Sequence, residues 1–246
     1  DFKNYDYKIM VVSTSAIVIS KLKYKDNDLI LKLLTRELGV CNFLVRNPAG
    51  KKRNKTINYF QPLTILSIEV ENRNKSKLNY LKDIEIEYVF KSIHFDIKKS
   101  VVVLFISEIL NKILNFQEKD ELLFDFIRDS FIFFDKNSFQ NFHLFFLIHL
   151  TKYFGLFPQT DSIDSLFFDL EQGVFSVEKP LKHYIGGTNL DVFKRLLGIK
   201  FDQISDINIT NNMRRDLIDD IITYYKYHFE SFSNLKSIDV IRKTLI

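Results

Sequence analysis

The chain has 246 residues, 35 Lys+Arg against 31 Asp+Glu, 46% hydrophobic and 15% aromatic residues, with 25 Phe, no Trp and one Cys. That length and apolar content bury a core, as one large domain or two modest ones, and exclude a disordered or fibrous chain. One cysteine closes no intramolecular disulfide and structural zinc takes up to four Cys/His ligands, so packing alone is expected to hold the fold, in a reducing, cytoplasmic compartment.

No membrane partner is expected. The longest apolar run, Phe142–Leu150, contains His143 and His149 and is followed by Lys152, far short of the roughly 20 apolar residues of a span. The apolar stretch after Lys8 is too short for a signal peptide. Met10 is read as the natural start, with Asp1–Ile9 an upstream extension. Charge is unevenly spread: residues 1–80 carry 15 Lys+Arg against 7 Asp+Glu, the remainder 20 against 24. Such a local excess suits a phosphate-rich partner, because each neutralised phosphate releases condensed counterions.

From Thr14 to Lys82 apolar residues recur at every second position between short polar breaks, the period of strands. Ile17 and Ile19 alternate with Val18 and Ser20; Leu29, Leu31 and Leu33 with Lys32 and Leu34; Cys41, Phe43 and Val45 with Asn42 and Leu44; Leu66, Ile68 and Val70 with Ser67 and Glu69. A fifth, weaker strand is predicted over about Lys77–Ile84. Five short strands with almost no helix between them predict a small antiparallel barrel over residues 13–84, an OB-fold first and an SH3-like barrel second.

After Asp96 the period becomes helical. Asp96 and Asp120 cap two predicted helices, Ser138 starts a third that Gly155 stops, and Thr210 and Ser237 open later ones. A short helix is expected from Asn189 or Asp191 to Gly198. Phe167–Phe175 reads as a hairpin. Residues 85–246 are thus predicted to be a helical domain with one β-hairpin near 166–176, giving an α+β chain overall.

Between the third and fourth strands, Arg46, Lys51, Lys52, Arg53 and Lys55 put five positive and no negative charges into ten residues, with Gly50 among them. Lys21, Lys23 and Lys25 end the first strand, and Lys75 and Lys77 flank the last turn. Gathered on one barrel surface, these donors fit a nucleic-acid backbone in many orientations. Tyr24, Phe43 and Tyr59 are the nearby rings able to stack on bases, although Phe43 alternates with the core positions Cys41 and Val45. The plainer alternative for the basic loop is a solvated hairpin that serves solubility.

No catalytic constellation is found. Gly50-Lys51-Lys52 lacks the Ser/Thr that a phosphate-cradling loop needs after its lysine. His143 and His149 are six apart, unlike an i, i+4 ligand pair, and each reads as a hydrogen-bonded core or boundary residue. Cys41 reads as a small buried hydrophobe. No metal or cofactor is expected. The Phe-rich helical half can also leave an apolar groove for a short acidic-hydrophobic tail, with Arg128, Lys152, Arg195, Arg214 and Arg215 as candidate rim cations.

Several strings in this order and spacing resemble one family, the bacterial RecO recombination mediators of Bacteroidetes type. They are Thr14-Ser15-Ala16-Ile17-Val18-Ile19-Ser20-Lys21, Tyr24-Lys25-Asp26-Asn27-Asp28-Leu29-Ile30, Tyr59-Phe60-Gln61-Pro62-Leu63, Ser107-Glu108-Ile109-Leu110, Asn141-Phe142-His143-Leu144, Leu150-Thr151-Lys152-Tyr153-Phe154-Gly155, Phe168-Asp169-Leu170-Glu171-Gln172-Gly173 and Lys236-Ser237-Ile238-Asp239-Val240. The resemblance covers the chain from about Ser13 onward. It implies an N-terminal OB-fold and a helical C-terminal domain. It further implies binding of single- and double-stranded DNA, strand annealing, and partnership with RecR and the C-terminal tail of single-stranded-DNA-binding protein in loading recombinase at gaps. Many members carry a four-cysteine zinc module near the hairpin; residues 156–186 here contain no Cys, so a metal-free hairpin is expected. The competing expectation is a protein-interaction scaffold without nucleic-acid binding.

Overall fold

The computed structural model describes residues 10–25, 27–48, 56–72, 79–115, 118–137, 140–230, 232 and 234–245. Two compact units divide the chain: residues 1–90 with 114–128, and residues 91–113 with 129–246.

The first unit contains a closed barrel of β1 (Met10–Tyr24), β2 (Asp28–Thr35), β3 (Gly39–Val45), β4 (Ile65–Asn72) and β5 (Asn79–Tyr88), in the order β1-β2-β3-β5-β4. All pairings are antiparallel except β3 with β5, which are parallel; this is the strand order of an OB-fold, and the SH3-like alternative falls away. The period-2 pattern explains the interior. Ala16, Val18, Leu31, Leu33, Phe43, Val45, Leu66, Ile68 and Val70 alternate along their strands and meet in one buried cluster, which Phe60 from a 3-10 turn (Thr56–Phe60) completes. Phe43 is therefore core, and Tyr59 packs partly buried against the same cluster; neither ring is offered to a base. Cys41 is also partly buried there, and burial pushes its thiol pKa up.

β1 is long enough to serve two partners. Its first half pairs with β4 and its second with β2, and between Val18 and Ser20 the register to β2 shifts by a bulge at Ile19. Residues directly opposite in an antiparallel pair share a face. Before the bulge, Ala16 and Val18 point inward, contrary to the alternation that takes Ile17 and Ile19 as the core set; those two are buried outside the barrel cluster. After it, Lys21 and Lys23 lie opposite Leu31 and Leu29, while Ser20, Leu22 and Tyr24 lie opposite Lys32, Ile30 and Asp28 on the outer face.

The second unit is helical: α1 (Ile97–Ile113), α2 (Glu121–Lys136, whose residues from Asp129 belong here), α3 (Phe142–Leu150), α4 (Gly187–Gly198), α5 (Asn211–His228) and α6 (Ile238–Leu245). Three predicted caps are made. Asp96 Oδ1 accepts Lys99 N–H at 3.0 Å, Asp120 Oδ1 accepts Leu123 N–H at 2.9 Å, and Thr210 Oγ1 accepts Met213 N–H at 3.3 Å. The third helix starts at Phe142, four residues after the predicted Ser138, which lies outside the described residues. Every residue of α3 is buried, as expected of a helix apolar all round. Phe134 and Phe142 stack at 4.1 Å between ring centroids, and Phe131 meets Phe142 and Phe146 at 5.6 and 5.4 Å.

The predicted hairpin, β6 (Phe167–Asp169) and β7 (Val174–Ser176), gains a third strand, β8 (Tyr184–Gly186), giving the order β7-β6-β8. Its turn requires Gly173: φ is +73°, and a Cβ there would sit 3.0 Å from the Tyr224 hydroxyl. Three residues are too few for a sequence period to reveal β8.

Buried polar groups knit this unit together. Lys99 Nζ donates to Ser92 Oγ, Phe134 O and Asp135 O at 2.8, 2.8 and 3.0 Å. Burial alone would raise the Asp135 carboxyl, but N–H donors from Lys91, Ser92 and Ile93, with the Ser92 hydroxyl, hold it below its ordinary pKa. Glu108 of α1 accepts Lys236 N–H, Ser237 N–H and the Ser237 hydroxyl at 2.8, 2.9 and 2.5 Å, fixing the start of α6. No helix among the described residues is long and apolar enough to cross a membrane.

Candidate nucleic-acid interface

The register brings an apolar-aromatic set with cations and a set of carboxylates to adjoining parts of the barrel's outer surface, which meet at the Tyr80–Glu71 pair. On β1, β2, β3 and β5 one row reads Leu22–Ile30–Leu44–Tyr80. Beside it lie Ser20–Lys32–Asn42 on one flank and Tyr24–Asp28 on the other; Arg46, just beyond Val45, continues on the side of Leu44. Leu22 is 65% exposed, and Tyr24 and Tyr80 are each 37% exposed. The Arg46 guanidinium carbon stands 5.8 Å from the Tyr80 ring centroid, a cation–π arrangement. Lys25, at φ +50° in the β1–β2 turn, has its ammonium 5.4 Å from the Tyr24 ring. Asp28 Oδ1 accepts the Asn47 N–H at 3.1 Å, tying the end of β3 to the start of β2. Burial lowers the Lys32 pKa.

The other side, on β4 and β5, carries carboxylates. Glu71 lies opposite Tyr80, Glu69 opposite Asp83, and Ser67 opposite Glu85; Glu87 accepts a hydrogen bond from the Ser15 hydroxyl. Like charges directly opposite destabilise a sheet. A register shift at Glu69/Val70 brings Lys82 within 3.4 Å of Glu69 and offsets part of that. In OB-folds generally, the face of strands 2 and 3 with the loops between strands 1–2 and 4–5 binds oligonucleotides.

Among the described residues, β3 and β5 pair at Phe43–Asn79 and Leu44–Tyr80. Beyond those two pairs a cleft of about 390 Å³ opens, lined by Leu44, Val45 and Arg46 from β3 and its end, and by Tyr80, Leu81, Lys82, Asp83 and Ile84 from β5.

Of the cations singled out in the sequence, Arg46 is exposed on the apolar-aromatic side and Lys25 at its edge. Lys21 and Lys23 are exposed but stand on the interior-facing side of the β1–β2 arm, turned there by the bulge. Lys51, Lys52, Arg53, Lys55, Lys75 and Lys77 lie outside the described residues. Lys32, Lys82 and Tyr80 were not singled out. Arg36, part of the basic excess, is committed elsewhere: it pairs with Glu121 at 2.7 Å and Asp125 at 3.2 Å, while Lys119 bridges Glu37 and Glu121.

The candidate rim cations of the helical half do not form one rim. Arg128 belongs to the first unit and pairs with Asp125 at 3.2 Å. Arg214 is 2% exposed; it donates to Asn141, Asn211, Gln140 and the Ile209 carbonyl, so it is an internal tie and no rim residue. Lys152, Arg195 and Arg215 are exposed. The Lys152 ammonium lies 4.3 Å from the Phe157 ring centroid and 3.0 Å from His149 Nδ1, while His149 Nε2 donates to Leu196 O at 2.9 Å. His143 departs from expectation: it is fully buried and neither ring nitrogen has a hydrogen-bond partner. Burial, with the Arg214 charge beside it, lowers its pKa to about 3. Among the described residues no group of three or more His, Cys, Asp and Glu side chains is arranged to hold a metal ion.

Two family models match the chain: recombination protein O N terminal over residues 10–90, and recombination protein O C terminal over residues 94–237. The chain is 38% identical over 240 residues to the DNA repair protein RecO of Flavobacterium psychrophilum, covering 95% of this chain and 99% of that protein. Identity to the RecO of Flavobacterium johnsoniae is 34% over 236 residues, and to that of Bacteroides fragilis 30% over 239, each again covering 95% and 99% of the two chains.

Proposed function

This chain belongs to the recombination protein O family of DNA repair proteins, and from that premise we propose that it is a non-enzymatic mediator that binds single- and double-stranded DNA through its barrel and anneals strands. It would help load recombinase at gaps with RecR and the tail of single-stranded-DNA-binding protein, in the cytoplasm at the nucleoid. The observation that carries this reading is the distribution of charge around the barrel: Arg46, Lys32 and Lys25 accompany exposed Tyr24 and Tyr80, while Glu69, Asp83, Glu85 and Glu87 lie farther along β4 and β5, with Glu71 opposite Tyr80 where the two sets meet. A strand lying across β1–β2–β3 meets cations at its phosphates and rings at its bases, with Glu71 at the edge of its path. Lys51, Lys52, Arg53 and Lys55 follow β3 in the sequence and Lys75 and Lys77 precede β5, and all are counted among the DNA-binding cations, with Lys21 and Lys23 on the other face of the β1–β2 arm.

Annealing requires no bond chemistry. Neutralising two complementary strands removes their mutual repulsion and brings them to one surface, after which base pairing drives the reaction. For the helical unit, Lys152, Arg195 and Arg215 are the exposed cations suited to the carboxylates of an acidic tail, with Lys152 already held over Phe157.

A titration of single-stranded DNA against salt tests the reading. The logarithm of affinity should fall with the logarithm of salt at about 0.7 per phosphate contacted. Exchanging Lys51, Lys52 and Arg53 for Glu, or Arg46 and Lys32 for Glu, should weaken binding and flatten the slope. Wild-type protein that binds no DNA at low salt would reduce the barrel to a protein-interaction scaffold.

A further inference from the structure

We propose that Asp28 is a positioning residue for DNA binding: it grips the backbone at Asn47 so that Arg46 is held in place for a phosphate. This rests on the DNA-binding reading above and deepens it, because it gives a carboxylate lying among cations a task in binding a polyanion.

By charge alone Asp28 is misplaced. It lies opposite Tyr24, across the turn that carries Lys25, where a negative charge opposes any approaching phosphate. The geometry supplies a reason. The ladder between β2 and β3 ends at the pair Leu29–Val45, so Arg46 stands one step past the last pair and the sheet no longer holds it. One residue further on, Asn47 N–H donates to Asp28 Oδ1 at 3.1 Å. The backbone at Arg46 is thereby pinned on both sides, by the last ladder pair and by this tie.

Asn47 needs such a tie. Its φ is +44°, in the left-handed region that residues with a side chain rarely adopt. It also precedes Pro48, and a proline pushes the residue before it toward extended backbone. Two local preferences therefore oppose the turn that the chain makes here. A conformation of that kind persists only where its surroundings hold it, and the Asp28 carboxylate, fixed at the start of β2, holds the Asn47 amide. Without that grip the chain after Val45 would have no single course.

The benefit is preorganisation. A surface arginine loses rotamer freedom when a ligand orders it, and that loss weakens binding. With its backbone pinned and its guanidinium carbon 5.8 Å from the Tyr80 ring centroid, Arg46 has less freedom left to lose. The repulsion between Asp28 and phosphate offsets part of this gain. A neutral acceptor at the same position would keep the grip and remove the repulsion, so the two contributions can be separated.

A double-mutant cycle on the full chain tests this. Dye-labelled single-stranded DNA is titrated at several salt concentrations against Asp28→Asn and Asp28→Ala, each with Arg46 present and again combined with Arg46→Ala. The two Asp28 variants remove the same charge, but only Asp28→Asn keeps an acceptor oxygen for the Asn47 amide. Charge alone would make both bind more tightly than wild type, and equally. We expect instead that Asp28→Ala binds about three-fold more weakly than Asp28→Asn, within the range of one exposed ion pair. Its salt slope should be lower by about 0.7, the share of one phosphate. Combined with Arg46→Ala the two should bind alike, because the residue being positioned is gone. Equal affinities with Arg46 present would overturn the proposal while leaving barrel binding intact. A difference of the same size in both backgrounds, the mark of a folding defect, would overturn it too. No binding by wild type at low salt would overturn the underlying reading as well.

Discussion

The two units handle charge in opposite ways. The barrel keeps its ionic groups on the surface and sorts them by face, whereas the helical unit draws several of its polar groups inside and spends them on internal hydrogen bonds. Lys99, Asp135, Arg214, Asn141 and His143 are all buried in the second unit, while Arg46, Lys21, Lys23 and Lys25 of the first are exposed. A lysine or arginine counted in the sequence is thus two different objects. On the barrel it can stand exposed, as Arg46 and Lys25 do, or be held in an ion pair, as Arg36 is; in the helical unit it can be a structural tie that would leave carbonyls and amides unsatisfied if removed.

The largest expected consequence of that contrast is at Asp135. Asp135→Ala leaves the N–H groups of Lys91, Ser92 and Ile93 without their acceptor and should cost about 3 kcal/mol or more, since each buried donor left unmade costs about 1–3 kcal/mol. Denaturant unfolding followed by circular dichroism would measure it. A cost under about 1 kcal/mol would show that the buried network contributes little.

Acid should separate the units next. His143 and His149 have folded pKa values lowered to about 3 and about 4, in both cases chiefly by burial. A base whose folded pKa lies below its unfolded value adds stability that is complete above the unfolded pKa, near 6.5. That stability drains as pH falls from there toward the folded value. For His143 alone the loss at pH 4.5 is on the order of 2–3 kcal/mol. His143→Leu, which also removes two unpartnered nitrogens from the core, should flatten the decline between pH 6.5 and pH 4.5. An unchanged pH profile in that variant would refute the assignment.

A smaller effect distinguishes two neighbouring arginines of α5. Arg214→Met should destabilise by about 2 kcal/mol, because charged hydrogen bonds contribute about 1.5–3 kcal/mol each before relaxation. Arg215→Met, on the exposed face, should stay within about 0.5 kcal/mol. Thermal melts of the two variants read the difference directly. The smallest effect concerns the barrel: Arg46→Ala should lower the salt slope for single-stranded DNA by about 0.7, while Glu85→Gln on the carboxylate side should leave it unchanged. Equal shifts from both would erase the distinction between the two sides.

The barrel was legible in the sequence because alternation over 4–8 residues survives folding as an inside and an outside, and Leu31, Leu33, Phe43, Leu66 and Val70 all kept the side their spacing assigned. The three caps at Asp96, Asp120 and Thr210 were legible for a local reason, since each needs only a side chain and an amide three residues on. The binding side was read only in part. The alternation takes Ile17 and Ile19 as the interior set, but Ala16 and Val18 fill the barrel, and the bulge at Ile19 then turns Lys21 and Lys23 to the interior-facing side. Tyr80 is not legible in the sequence because its place beside Arg46 depends on a parallel pairing between β3 and β5, which no local pattern records. The burial of Arg214 is not legible either, because a helical period says which face a residue is on, not whether another element covers that face.

Glu108 and Ser237 touch across 129 residues of chain, and the barrel strands are complete by Tyr88. During translation the barrel can therefore close while most of the helical unit is still inside or beyond the ribosome's tunnel. Glu108 waits for its partners until residue 237 has emerged. Nascent chains stalled between these points should carry a closed barrel and an unfinished, chaperone-dependent remainder, so the order of synthesis delivers the DNA-facing module before the module that completes it.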